Sequence, residues 1–288
     1  MTIDKALIFA EKKLENFARA AEEAEILLAA ALHKNREYLL AHPDEKISFW
    51  RNLYFRKMIN KRTKGYSSAA VTGHKWFYGL DYIVNNHVLI PRPETELMID
   101  EILRSIKKEE LRIKNLIDIG TGCGCIIVVL AKKLPLLGIN FYGLDISRQA
   151  LSVARRNAQK HKVEKDIKFI KSDLLREIFK RKISPGPTII TANLPYLTAE
   201  QIAASSSIKK EPRLALIGGR DGLDCYRRLF SQIKNHRQFF KGELLIFCEI
   251  DEAQKSAIEK LIKEEFPRAR QEIKKDLGGA ERLAIIKL

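Results

Sequence analysis

The chain has 288 residues, enough for one large domain and a small one, and its hydrophobic share of 45% is that of an ordinary globular protein. Its net charge of +16 points to an acidic partner or to a lysine-rich genome, and charge alone does not separate the two. The opening MTIDKALIFAEKK lacks the apolar core of a signal peptide, and no run approaches the ~18 apolar residues of a membrane helix, so a cytoplasmic protein away from membranes is expected.

Residues 1 to about 65 carry helical periodicity. Ala6, Leu7, Ala10, Leu14 and Phe17 recur at three- and four-residue spacing, as do Ala24, Leu27, Leu28, Ala31 and Leu32. Asn35 and His42-Pro43 read as breaks, and a third helix is expected over roughly Ile47 to Lys61. Arg51 to Lys75 holds seven basic residues and no acid, a solvated face or a docking surface for an acidic partner. Trp76–Tyr78 and Tyr82–Leu89 alternate around Gly79-Leu80-Asp81 and predict a hairpin. The expected organisation is a helical domain over 1–72, a β-hairpin linker over 73–90 and an α/β domain over 91–288.

In the last part, short apolar runs predict strands at Leu116–Ile119, Phe141–Leu144, Ile167–Ile170, Thr188–Thr191, Glu243–Ile250 and Leu283–Lys287. Helical stretches fall between most of them: Cys125–Lys133, Arg148–His161, Leu223–Phe239 and Glu252–Glu265. This alternation predicts an α/β fold of Rossmann-like type, a mostly parallel sheet covered on both faces. The tail, Glu272–Asp276 and Arg282–Lys287, has no evident helix between its strands and predicts an antiparallel edge.

The run NLIDIGTGCGCIIVVLAKKL places Gly120, Thr121, Gly122, Cys123 and Gly124 between a strand and a helix. Glycines there allow a tight turn and close approach of a ligand to the backbone. Asp145, at the tip of the next strand, is a candidate acceptor for both ribose hydroxyls. The spacing G-x-G-x-G favours S-adenosylmethionine over a dinucleotide. Asp173 and Leu174, after the third strand, are candidate neighbours of the adenine. An Asp at a strand end is also a common helix cap, which is the competing reading for Asp145 and Asp173. The four cysteines, Cys123, Cys125, Cys225 and Cys248, form no CxxC pair, so no metal site is expected.

Asn193-Leu194-Pro195-Tyr196 follows the fourth strand and should open onto the same crevice. An amide or adenine nitrogen is a poor nucleophile because its lone pair is delocalised, but it carries two N–H donors. The Asn193 side-chain oxygen and the Leu194 carbonyl can accept both, and the Tyr196 ring can cover the planar group. The gain is positioning and electrostatics, with no strong base needed. In isolation Asn-x-Pro-Tyr reads as an ordinary turn; with the glycine turn and Asp145 in one sheet it reads as a clamp.

The clamp resembles the Asn-Pro-Pro-Tyr signature of methyltransferases acting on planar nitrogens, with Leu194 in place of the first Pro. LIPRPETELMID (89–100), EPRLALIGGRDGLDCYRRL (211–229) and DLGGAERLAII (276–286) further resemble the peptide chain release factor glutamine methyltransferases. The resemblance implies transfer of a methyl group from S-adenosylmethionine to the side-chain amide of the Gln in the Gly-Gly-Gln loop of release factors. It implies that residues 120–124, Asp145, Asp173, Leu174 and Asn193 border the cofactor, and that the N-terminal helices help dock the release factor. No direct nucleic-acid contact is implied, and a monomer is the simplest assembly. This chain departs from the family at Asp251, where relatives carry Gly, and at Ser67 and Ala70, near a usual Pro and aromatic. In the Pro-Arg-Pro-Glu-Thr-Glu string, Pro93 is placed to open a helix and Arg92 to pin the loop through a carboxylate. Two other readings stay open: an adenine methyltransferase acting on DNA or RNA, and a cofactor-binding protein that has lost catalysis through Leu194.

Overall fold

A computed structural model of the chain describes residues 1–108, 112–135, 138–181, 183–205 and 208–288. The chain folds into two compact units, Met1–His74 with Ser205–Lys210, and Lys75–Ala204 with Glu211–Leu288.

The first unit is helical: α1 (Ile3–Lys13), α2 (Ala20–Leu32), α3 (Arg36–Ala41), α4 (Phe49–Thr63) and α5 (Ser68–Thr72). Its breaks are caps. The Asn35 side chain accepts from Tyr38 N at 2.9 Å and so starts α3, and Thr2, Ser48 and Ser67 do the same for α1, α4 and α5. The short α5 is not expected from the sequence, and Ser67 is what begins it. Ile3, Leu14, Leu27, Leu28 and Phe55 close the core. Part of the basic run is internal glue. Arg62 forks onto the Glu23 carboxylate over the Phe17 ring, Arg56 covers the Phe9 ring at 4.4 Å, and Arg51 donates to the Ala31 carbonyl.

The hairpin β1 (His74–Phe77) and β2 (Leu80–Ile83) follows. Its turn is Tyr78-Gly79, both left-handed, as two-residue hairpins require. The turn therefore falls earlier than the expected Gly79–Asp81, and β2 stops at Ile83, not Leu89. The reason lies in Asn85, whose side chain accepts from His87 N and bends the chain. Val84, Val88 and Ile90 are buried, so their alternation reflects packing and not strand pairing.

A 3-10 turn at Pro93–Thr95 leads into α6 (Glu96–Lys108). Then come β3 (Asn115–Ile119), α7 (Cys125–Lys133), β4 (Asn140–Asp145), α8 (Arg148–Lys160), β5 (Ile167–Lys171), α9 (Arg176–Phe179), β6 (Thr188–Ala192), α10 (Ala199–Ala204), α11 (Asp224–Asn235), β7 (Leu244–Glu249), α12 (Lys255–Glu265), β8 (Arg270–Lys275) and β9 (Glu281–Lys287). The sheet has seven strands in the order β5-β4-β3-β6-β7-β9-β8. The first five are parallel, and β9 pairs antiparallel with both β7 and β8, as the tail predicts. One face packs on α6, α7 and α8 through Ile99, Ile127 and Ala158; the other packs on α11 and α12 through Tyr226, Phe230 and Ile258. After β5 the chain crosses to the far side of β3, so strand order reverses between β3 and β6. A crevice opens at such a point, outside the carboxyl ends of the strands. No helix among the described residues is long and apolar enough to cross a membrane.

Asn157 of α8 is fully buried and joins three segments. Its amide nitrogen donates to the Ile83 and Cys123 carbonyls at 2.9 and 2.8 Å, and its oxygen accepts from Ile83 N at 2.7 Å. The hairpin is thereby fixed to the glycine-rich turn. Asn157→Ala strands all three backbone groups. It is expected to lower stability by about 2–4 kcal/mol, read from the shift of the urea-unfolding midpoint.

Candidate active site

A cavity of about 340 Å³ lies at the reversal point. Gly120, Thr121, Gly122 and Cys123 form one wall; Asp145, Asp173 and Leu174 another; Asn193, Leu194 and Pro195 a third. Two expected site residues do not line it. Gly124 starts α7, where a Cβ would lie 3.2 Å from the Ala154 Cβ of α8, so it serves helix packing. Tyr196 turns its hydroxyl back toward Glu249.

The turn is held from beneath by Asp118, which in the sequence is one more residue of an apolar strand. Its carboxylate is buried in β3 and accepts from the Thr121 hydroxyl at 2.6 Å and the Thr191 hydroxyl of β6 at 2.7 Å. Burial pushes its pKa up to about 6 against the pull of the two hydroxyls. Gly120, at φ 68°, carries the backbone over this link, and a Cβ there would sit 3.2 Å from the Leu194 side chain.

Asp145 spans the turn and the next helix. One oxygen accepts from Gly122 N at 2.9 Å, the other from Ser147 N at 2.8 Å. Burial raises its pKa despite these bonds. Each carboxylate oxygen keeps a further lone pair, enough for a pair of hydroxyls. The cap of α8 is Ser147, whose hydroxyl accepts from Ala150 N, so the competing capping role of Asp145 falls to its neighbour.

Asp173 forms an ion pair with Arg228, another residue of the wall. Leu174 is buried at φ 53°, a conformation rarely taken by a residue with a branched side chain. Ser172 holds it there: the hydroxyl donates to the Leu174 carbonyl at 2.6 Å and accepts from Glu177 N. The loop after the hairpin adds Asn86, His87 and Val88 to the wall, residues that the over-long predicted strand conceals.

Asn193 donates its amide N–H to the Thr95 hydroxyl at 3.2 Å. Its side-chain oxygen is buried and has no partner. Behind it, Glu249 is buried at the tip of β7, and burial pushes its pKa up to about 7. One Glu249 oxygen meets the Tyr196 hydroxyl at 3.5 Å; the other is buried without a hydrogen bond, although Thr95 and Asn193 stand beside the carboxyl.

The segments 89–100 and 211–229 meet here. Arg92 pairs with the buried Glu211 at 2.6 Å, and Glu211 also accepts from Ile90 N. The carboxylate partner expected for Arg92 is therefore Glu211. Gly222 allows the 211–229 loop to reach the clamp, since a Cβ there would lie 2.0 Å from the Tyr196 carbonyl oxygen. Gln254 donates to that carbonyl at 3.0 Å and to the Asp221 carbonyl at 3.1 Å. Gln254 is itself set by a capping box with Asp251: the Asp251 side chain accepts from Ala253 N, and Asp251 N donates to the Gln254 oxygen.

Residues 5–73 match the PrmC N-terminal domain family, and residues 111–184 match a methyltransferase domain family. The release factor glutamine methyltransferase of Bacillus anthracis is 33% identical over the whole of both chains. That of Bacillus subtilis (strain 168) is 34% identical over 98% of this chain and 96% of its own. Among solved structures, the human METTL16 catalytic domain in complex with an MAT2A 3'UTR hairpin superposes with a TM-score of 0.55 at 16% identity, covering 82% of this chain and 80% of that one. The N-terminal domain of human METTL16 in complex with SAH gives 0.51 at 17%, covering 73% and 76%. At such identity these two establish the fold alone.

The raised pKa of Asp118 sets a pH test. The folded state holds its proton up to about pH 6, whereas the unfolded chain releases it near 3.8, so this residue's favourable contribution is complete below 3.8 and gone above about 6. Asp118→Asn removes the titration. Between pH 3.5 and 7 the stability of the native chain should therefore fall by about 3 kcal/mol relative to the Asn variant, measured by urea unfolding at both pH values.

Proposed function

We infer the roles of the site residues from a premise that the full-length relatives establish: this chain belongs to the release factor glutamine methyltransferase family. It is an S-adenosylmethionine-dependent methyltransferase, and its substrate is a release factor glutamine. The finer reading is that the acceptor is the side-chain amide nitrogen of the Gln in the Gly-Gly-Gln loop, and that a monomer acts in the cytoplasm.

The cofactor fits the groups present. Asp145 offers two oxygens for the ribose, the glycine turn gives bare backbone, and Leu174 gives an apolar wall. When bound, S-adenosylmethionine supplies an electrophilic methyl on a sulfonium. The chain's own work is to hold the acceptor. The observation that carries the proposal is the Asn193 oxygen, a buried acceptor with no partner, on a residue that lines the same cavity as Gly120. A substrate amide has two N–H donors, one for this oxygen and one for the Leu194 carbonyl. Thr95 fixes which way the Asn193 amide points by accepting from its nitrogen. Both substrate protons are then held while the nitrogen stays unobstructed. Positioning of this kind lowers the barrier without a general base. Adenine amines present the same donors, so the clamp by itself fits the adenine reading too; the relatives, named as glutamine methyltransferases, do not favour it.

Labelled S-adenosylmethionine, a bacterial release factor, and adenine-containing DNA and RNA make the test. Label should appear on the Gly-Gly-Gln glutamine by peptide mass spectrometry and not on adenine; label on adenine alone would overturn the reading. Asn193→Ala should lower kcat by about 10²–10³-fold and leave the cofactor Kd within about threefold. Asp145→Ala should instead weaken cofactor binding by about 10²-fold in calorimetry.

A further inference from the structure

Leu194 stands where the signature resembled by this turn has Pro, and the exchange has a chemical consequence. Proline has no N–H; leucine brings one into a buried position, since Leu194 is only 4% exposed. A buried N–H without an acceptor is costly. In this chain Leu194 N donates to the Tyr226 hydroxyl, a long bond at 3.4 Å. Tyr226 lies on α11 and is fully buried; it falls within the 211–229 string that resembles the family, but the sequence gives it no role at cofactor or clamp. Its hydroxyl also lies 3.1 Å from the Ala192 carbonyl and in close contact with the Glu249 carbonyl. With one proton to give and lone pairs to receive, it donates to a carbonyl and accepts from Leu194. One atom thus lies between the ends of β6 and β7, bonded to one of their carbonyls and to the first residue after Asn193.

We propose that Tyr226 is a positioning residue for methyl transfer, its hydroxyl replacing as a hydrogen-bond acceptor the constraint that a proline ring at position 194 would impose. Proline fixes φ covalently. Here the peptide between Asn193 and Leu194 is fixed by a bond at its N–H. The peptide so held is continuous with both acceptors of the clamp, the Asn193 side chain and the Leu194 carbonyl. The inference rests on the assignment of Asn193 and Leu194 as that clamp.

A double-mutant cycle between Tyr226→Phe and Leu194→Pro tests it, with kcat, cofactor Kd and melting temperature measured for each variant and Asn193→Ala run alongside. In the native background Tyr226→Phe leaves the Leu194 N–H without an acceptor and should lower kcat by about tenfold with cofactor Kd little changed. In the Leu194→Pro background there is no N–H to strand. The same change loses only the donation to a carbonyl and should lower kcat by no more than about threefold. Equal losses of kcat in both backgrounds would overturn the proposal and reduce Tyr226 to a core residue. Full activity of Asn193→Ala would overturn the clamp reading first, and the proposal with it. An inactive Asn193→Ala with no coupling in the cycle sinks the proposal alone. Hydrogen exchange at the Leu194 amide of the native protein gives a reading independent of whether Tyr226→Phe folds: protection supports the bond, and exchange at the rate of an open loop overturns it.

Discussion

The Asp118 carboxylate is the joint on which the site depends. It sits in the middle of the sheet, where charge is costly to bury, and accepts from one hydroxyl in the glycine-rich turn and another in β6. In the proposed reading those two segments carry the opposite halves of the chemistry, cofactor on one and acceptor on the other. Their strands are neighbours only because the strand order reverses between β3 and β6, the chain crossing from β5 back to the far side of β3. A parallel sheet brings two strand tips together but leaves the loops beyond them free to diverge. The two hydroxyl bonds fix that divergence at its root.

Around this joint the structure adds fixed points one loop at a time. Asn157 fastens the hairpin to the back of the turn. Arg92 and Glu211 fasten the segment before α6 to the segment before α11, and Gly222 allows close approach to Tyr196. None of these contacts joins residues near in sequence, and most run between a side chain and a backbone group. A loop-built site gains precision in this way, since a backbone amide or carbonyl cannot swing away from its partner as a side chain can.

That geography explains what can be read from the sequence. Strands such as Leu116–Ile119 and Thr188–Thr191 are legible because a central parallel strand is apolar on both faces, and the glycine turn because strand and helix flank it. The antiparallel tail is legible from the missing helix between its strands. The hairpin reads as extending to Leu89 because Val84, Val88 and Ile90 are buried without pairing, and burial and pairing leave the same alternation. Asp118, Ser172 and Tyr226 are silent for another reason. Each acts through partners placed by the tertiary fold, and an Asp, Ser or Tyr in the sequence carries no mark of which carbonyl or hydroxyl it will meet. The turn of Tyr196 toward Glu249 is hidden in the same way, because the order Asn-Leu-Pro-Tyr does not say which wall the ring will face.

The capping box at Asp251 couples two positions of the chain. Asp251 engages the turn that bears Gln254 with both its side chain and its backbone, and Gln254 in turn holds the backbone of Tyr196. The two bonds are separable: a glycine at 251 would keep the backbone N–H that meets the Gln254 oxygen but lose the side chain that accepts from Ala253 N, so the turn bearing Gln254 would be less firmly set. The residues tolerated at 251 therefore depend on what stands at 254 as well as on the fold.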